Sequence, residues 1–214
     1  MLGRTARYRQ THPRKAVHQE IAAETQRGEM MATRPRTTGE IVRLKVTLRG
    51  IRPPIWRRLL VPSATRLSSL HAAIQSAMGW YSAHLYVFEI GGDSYGDPDM
   101  VDDVLDEARL TLRSIRRMGV KRFTYTYDFG DNWEHTIDIE GTEPPVTGKT
   151  YPTCVAGKRN GPPEDCGGVY GYSEGLAILA NPSHPEFEAY SETFGDDFDP
   201  EAFSLDAINA ALAG

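Results

Sequence analysis

The sequence predicts an α+β domain: a single mixed, mostly antiparallel sheet with helices on one face, plus helices at the C-terminus. Three observations carry this. Two period-2 runs flank a Gly/Asp/Asn turn between Phe123 and Glu140. Apolar residues recur at helical spacing from Leu67 to Met78. The elements run strand, strand, helix, strand, helix, strand, strand and then helices, an order that adjacent hairpins fill with antiparallel pairs. A β-grasp-like arrangement fits the first four.

The first strand begins near Ile41, where Leu44, Val46 and Leu48 alternate with Arg43, Lys45 and Thr47, the pattern of a half-buried strand. Gly50-Ile51-Arg52-Pro53-Pro54 ends it, because Pro lacks an N–H and biases its predecessor toward extended geometry. Ile55–Val61 reads as the returning strand, closed by Pro62. Leu67, Leu70, Ile74, Ala77 and Met78 share one helix face, and Gly79 is placed to end that helix. Leu85–Ile90 is the next strand, with Gly91-Gly92 as its stop.

Residues 97–106 read as acidic and irregular, and Leu110–Met118 as a short helix capped by Gly119. Phe123, Tyr125 and Tyr127 form one alternating run; Trp133, His135, Ile137 and Ile139 form the second, making a hairpin. The Gly- and Pro-rich stretch Pro144–Tyr172 is expected to be a long functional loop. Helices are expected around Ser173–Leu179, Pro185–Thr193 and Leu205–Leu212.

Charge divides the 214-residue chain. Residues 1–38 carry eight Lys/Arg against three Glu, and the remainder carries 16 basic against 26 acidic residues. No Lys or Arg follows Arg159. The segment 1–38 lacks periodicity and reads as a disordered basic tail. Alternatively it reflects a start placed too early, since Met30-Met31-Ala32-Thr33 resembles a bacterial N-terminus and Arg27-Gly28-Glu29 is encodable by purines alone. Residues 39–214 form the domain. Its acidic body excludes a duplex-DNA reader, which needs positive charge on the folded surface. The apolar runs are too short for a membrane span. Two cysteines make no disulfide framework and no secretion signal opens the chain, so the expected compartment is the cytoplasm.

Four stretches are distinctive together: Pro53-Pro54-Ile55-Trp56-Arg57-Arg58; Leu70-His71 through Met78-Gly79-Trp80 to His84-Leu85; Tyr125-x-Tyr127-Asp128-Phe129-Gly130-Asp131-x-Trp133-x-His135; and Tyr151-Pro152-x-Cys154 through Arg159 to Pro162-Pro163-Glu164-Asp165-Cys166-Gly167-Gly168 and Gly171-Tyr172. In this order they resemble the plasmid pRiA4b ORF-3-like family, from about Ile41 to Leu212. The resemblance implies occurrence on plasmids, mobile elements and bacterial chromosomes and a resolvase-like label on some members; it supplies no activity. The label fails on chemistry. No His is followed three residues later by Arg, as a tyrosine recombinase requires, and the C-terminal helices are too acidic for a groove-binding helix-turn-helix.

Two residue sets remain. Trp80, Tyr127, Trp133, Tyr151, Arg159, Glu164, Asp165 and Tyr172 place aromatic and polar groups beside turns, which suits a pocket for a peptide or small ligand. Asp128, Asp131, His135, Cys154 and Cys166 supply oxygen, imidazole and thiolate ligands for a divalent metal, with His84 or His135 completing a thiol site. Against the metal, His135 shares a strand face with Trp133 and Ile137, as a core His held by one hydrogen bond would. Asp128 and Asp131 suit a turn, which also accounts for the kinase-like triplet Asp128-Phe129-Gly130. Arg113, Arg116 and Arg117 share a helix face and read as solvated. The leading expectation is a non-enzymatic interaction or regulatory module with an unknown protein or small-ligand partner and no assigned cofactor. The alternative is a metal-dependent enzyme at the Asp128–His135 hairpin and the cysteine loop.

Overall fold

A computed structural model describes residues 39–214; the expected basic tail lies outside the described residues. The elements are β1 (Ile41–Leu48), β2 (Trp56–Pro62), α1 (Leu67–Met78), β3 (Tyr86–Ile90), β4 (Asp93–Gly96), β5 (Leu105–Asp106), α2 (Leu112–Arg117), β6 (Arg122–Tyr127), β7 (Trp133–Glu143), β8 (Thr153–Lys158), α3 (Gly168–Leu179), α4 (Phe187–Phe194) and α5 (Leu205–Ala213). Eight strands form one sheet in the order β5-β4-β3-β6-β7-β1-β2-β8. Every pairing is antiparallel except β4 with β5. The first four elements keep the hairpin–helix–strand order expected of them, while β7 and β6 separate β1 from β3.

Strand alternation sends one face inward. Across the sheet, Leu59, Leu44 and Ile139 form one row; Arg57, Val46, Ile137 and Phe123 the next; Leu48, His135, Tyr125, Phe88 and Tyr95 a third. The last row, at the turn end of the β6–β7 hairpin, is Trp133, Tyr127 and Tyr86. Leu67, Leu70, Ile74 and Met78 of α1 pack into the same buried cluster. Gly79 ends α1 at φ 85° and donates its N–H to Gln75 O, a left-handed cap that glycine adopts without a side-chain clash. The opposite face is polar and ion-paired: Arg58 bridges Glu140 with bonds of 2.7 and 2.8 Å, Arg122 meets Asp138 at 2.6 Å, and Arg43 meets Glu143. One buried and one solvated face is the usual state of an antiparallel sheet.

The long expected loop Pro144–Tyr172 is corrected by the structure. It contains β8, which pairs with β2, and the first turn of α3. Asn209 of α5 holds β8 at the sheet edge, donating to Cys154 O (3.0 Å) and accepting from Cys154 N (2.7 Å). Likewise, Gly91-Gly92 turns the chain into β4, and the irregular 97–106 stretch ends in β5. The helical arginines are partly anchored: Arg116 pairs with Glu40, and Arg113 donates to Ser63 Oγ at 3.2 Å.

Candidate functional site

Three loops meet at the turn end of the β6–β7 hairpin: residues 79–85 after α1, the turn 128–132, and 161–168 before α3. Backbone and side-chain bonds lock them together. Asp128 N donates to Leu85 O at 2.8 Å, Tyr81 N donates to Glu164 Oε2 at 3.2 Å, and Gly167 N donates to Asp131 Oδ2 at 3.2 Å. Asp128 Oδ1 accepts from Gly130 N (2.9 Å) and Asp131 N (3.3 Å), which organises the hairpin turn as expected of a turn aspartate.

Beneath the loops lies an aromatic floor. Trp80 is 5% exposed and donates Nε1–H to Pro162 O at 2.8 Å. Its ring centroid is 5.2 Å from Tyr127, 5.9 Å from Trp133 and 5.4 Å, edge-on, from His135. Tyr127 donates its hydroxyl to Glu164 and accepts from Ala83 N and His84 N. Burial first, then Glu164, pushes its phenol pKa well up.

Deeper still, Tyr125 Oη accepts from Gln75 Nε2 at 2.9 Å and lies 2.8 Å from His71 Nδ1. The Tyr125 hydroxyl thus ties two residues one helical turn apart on α1 to the middle of the sheet. Burial lowers the His71 pKa to about 4. Its ring stacks on Tyr86 at 3.7 Å, and Tyr86 donates to Glu107 at 2.7 Å. Sequence reading missed this chain because its members stand on α1, β3, β6 and a 3-10 turn at Glu107–Arg109, each unremarkable alone.

Of the expected pocket residues, Trp80, Tyr127, Trp133, Glu164 and Asp165 come together here. Tyr151 instead organises its own loop, accepting from Val146 N at 3.1 Å. Arg159 is 4% exposed and ties Glu201 (2.6 Å) to Pro53 O (2.8 Å). Tyr172 packs on Phe194 within α3 and α4. The expected metal ligands do not converge. Cys154 sits on β8 and points its thiol at Ala156 O (3.4 Å); Cys166 is buried beside Asp131, and burial pushes its thiol up to about 12. Both thiols are free. Asp131 is taken by Gly167 N.

His135 does point inward, fully buried, but the expected single hydrogen bond is not made. Neither ring nitrogen has a hydrogen-bond partner among the described residues. Burial lowers its pKa to about 4, against an upward pull from the Tyr125 and Trp133 backbone.

Among the described residues one group of ligand-type side chains does converge: His84, Asp128 and Asp165, with ligand atoms within 4.8 Å of one another. His84 Nε2 lies 3.1 Å from Asp165 Oδ1 and 3.8 Å from Asp128 Oδ2. Asp128 and Asp165 both adopt left-handed backbone, at φ 56° and 57°, a conformation Asp tolerates better than most residues. His84 and Asp165 stand on different loops, and no local spacing pairs them.

The sequence pattern of the plasmid pRiA4b ORF-3-like protein family matches residues 40–207. The uncharacterized protein y4hQ of Sinorhizobium fredii is 42% identical over 179 residues, covering 80% of this chain and 90% of that protein. The crystal structure of MM3350 from Methanosarcina mazei, described as a protein of unknown function, superposes with a TM-score of 0.74 at 40% identity, covering 79% of this chain and 98% of that one.

Proposed function

This chain belongs to the plasmid pRiA4b ORF-3-like family, and from that premise we propose that it is a non-enzymatic interaction module that docks a cationic segment of a partner protein. The docking surface is the end of the sheet where the three loops meet. The observation that supports this is the placement of exposed large apolar side chains on or beside the three loops. Tyr81 is 87% exposed, Tyr170 77%, Phe129 47% and Leu85 37%. They account for four of the nine large apolar side chains exposed among the described residues, and all four stand on or directly beside the interlocked loops. Exposed apolar groups collected in one place mark interaction surfaces more often than scattered ones do.

Charge selects the partner. Asp131, Glu164 and Asp165, none of them buried, stand on the same loops, and no Lys or Arg follows Arg159 in the sequence. Lys or Arg side chains of a partner would meet carboxylates here and lay their stems on the aromatic rings. The same acidity argues against duplex DNA, as does the pairing of Arg43, Arg49, Arg58 and Arg122 with carboxylates on the outer sheet face. The proposed compartment is the reducing cytoplasm, where the buried thiols of Cys154 and Cys166 stay free. No helix among the described residues is long and apolar enough to cross a membrane.

A randomised peptide library selected on the purified chain tests the reading. Wild type is expected to enrich Lys- and Arg-containing sequences, and the variant Tyr81→Ser/Phe129→Ser/Tyr170→Ser, if its melting is unchanged, to lose that enrichment. Equal enrichment by both proteins, or none by wild type, would sink the proposal.

A further inference from the structure

We infer that His84, Asp128 and Asp165 bind one divalent transition-metal ion, through His84 Nε2 and one carboxylate oxygen from each aspartate. A cation held about 2.0–2.2 Å from each ligand keeps neighbouring ligands roughly 3.0–3.5 Å apart. The separations of 3.1 Å and 3.8 Å at His84 Nε2 are close to that spacing, so small side-chain adjustments complete the set.

An ordinary ion pair explains the cluster less well. His84 Nε2 is buried from solvent and has no hydrogen-bond partner among the described residues, although Asp165 Oδ1 is within reach. The approach lacks hydrogen-bond geometry. Two carboxylate oxygens and an imidazole nitrogen therefore lie within 4.8 Å of one another, with no hydrogen bond from His84 Nε2 to either aspartate. Asp128 is held the way a metal-binding carboxylate usually is: Oδ1 accepts from the Gly130 and Asp131 amides, and Oδ2 is left toward His84.

Asp165 is exposed, so the site opens to water on one side. Three protein ligands with a free position leave room for a solvent or partner-derived ligand. One imidazole with two carboxylates suits Mn²⁺, Fe²⁺, Co²⁺ or Zn²⁺; Mg²⁺ and Ca²⁺ favour all-oxygen sets. The inference rests on these three side chains alone. A chain that binds metal and enriches no peptide refutes only the docking proposal, and the reverse result refutes only this one.

The test is isothermal titration of the full chain, stripped with EDTA, with ZnCl₂, MnCl₂, MgCl₂ and CaCl₂ in turn. The expected result is one Zn²⁺ or Mn²⁺ per chain, with MgCl₂ and CaCl₂ weaker. Asp165→Asn keeps the size of an exposed side chain and should fold normally. It should weaken Zn²⁺ binding by at least the roughly 10- to 100-fold that changes behind a ligand already cause. His84→Ala should abolish the site and remove any Zn²⁺-induced rise in Tm. Absence of saturable Zn²⁺ and Mn²⁺ binding, or a stoichiometric site untouched by both substitutions, overturns the inference.

Discussion

The indole N–H of Trp80 donates to the carbonyl of Pro162 at 2.8 Å, tying the end of α1 to the loop before α3 across the aromatic floor. Trp80 is thus both a large buried ring and a bridge. Trp80→Ala should cost roughly 3–5 kcal/mol, as removal of buried aromatics does. Trp80→Phe keeps much of the packing but strands the Pro162 carbonyl, at roughly 1–3 kcal/mol. Urea titration of both variants checks this; equal losses would mean that the hydrogen bond outweighs the packing.

Gly168 starts α3 at φ +66°, and a Cβ there would lie 2.3 Å from the carbonyl oxygen of Asp131. Alanine must therefore take left-handed backbone and also push the hairpin turn away. Gly148 supplies the control, with φ +81° and nothing within 4 Å. Gly148→Ala should cost only the conformational part, about 1–2 kcal/mol. Gly168→Ala should add a clash of about 1–3 kcal/mol. Equal Tm shifts for the two would show that the turn yields freely.

Asp131 joins the turn to the α3 loop by accepting from Gly167 N, whereas Asp128 organises the turn itself. Asp131→Ala is expected to cost about 1 kcal/mol, the usual net worth of one hydrogen bond. Amide hydrogen exchange should quicken at Gly167 and Gly168 and stay unchanged along β6 and β7. Faster exchange throughout the hairpin would assign Asp131 the role given to Asp128.

Much of this fold is legible in the sequence, because β1, β2, β6, β7 and α1 each bury one face and so display its period. The segments that escaped owe their structure to neighbours. Thr153–Lys158 contains Gly157 and follows Pro152, and its strand depends on pairing with β2 and on Asn209 reaching from α5. The first turn of α3 holds Gly168 and Gly171, which read as loop; Gly171 is required because a Cβ would meet Cys166 O at 2.1 Å. At the site, Asp128 and Glu164 stood out because they sit in dense motifs. His84 was read as a ligand for the cysteine loop; its grouping with Asp128 and Asp165 was not, since those carboxylates come from separate loops. Arg57 was read as part of a motif, yet it is 2% exposed and donates to Ala77 O at 2.8 Å, closing the C-terminus of α1. Nothing in a strand pattern announces that.

His135 gives the fold an acid-side liability. Its ordinary value is 6.5, and burial holds the folded pKa at about 4. Between those values the unfolded chain takes up a proton that the folded chain refuses, so its stabilising contribution is complete above about pH 6.5 and declines as pH falls toward 4. The gap between those values corresponds to at most about 3–4 kcal/mol. His71, also lowered to about 4, acts in the same direction, and Glu107, whose pKa is raised by burial, acts in the opposite one. A difference measurement isolates His135. Because neither ring nitrogen is paired, His135→Leu removes two unsatisfied polar atoms and should leave stability at pH 7 nearly unchanged or slightly higher. At pH 4.5 the variant should exceed wild type by about 2–3 kcal/mol in urea unfolding. Parallel pH dependence in the two proteins would mean that His135 accepts a proton in the folded state, and that the space around its ring is more polar than its burial implies.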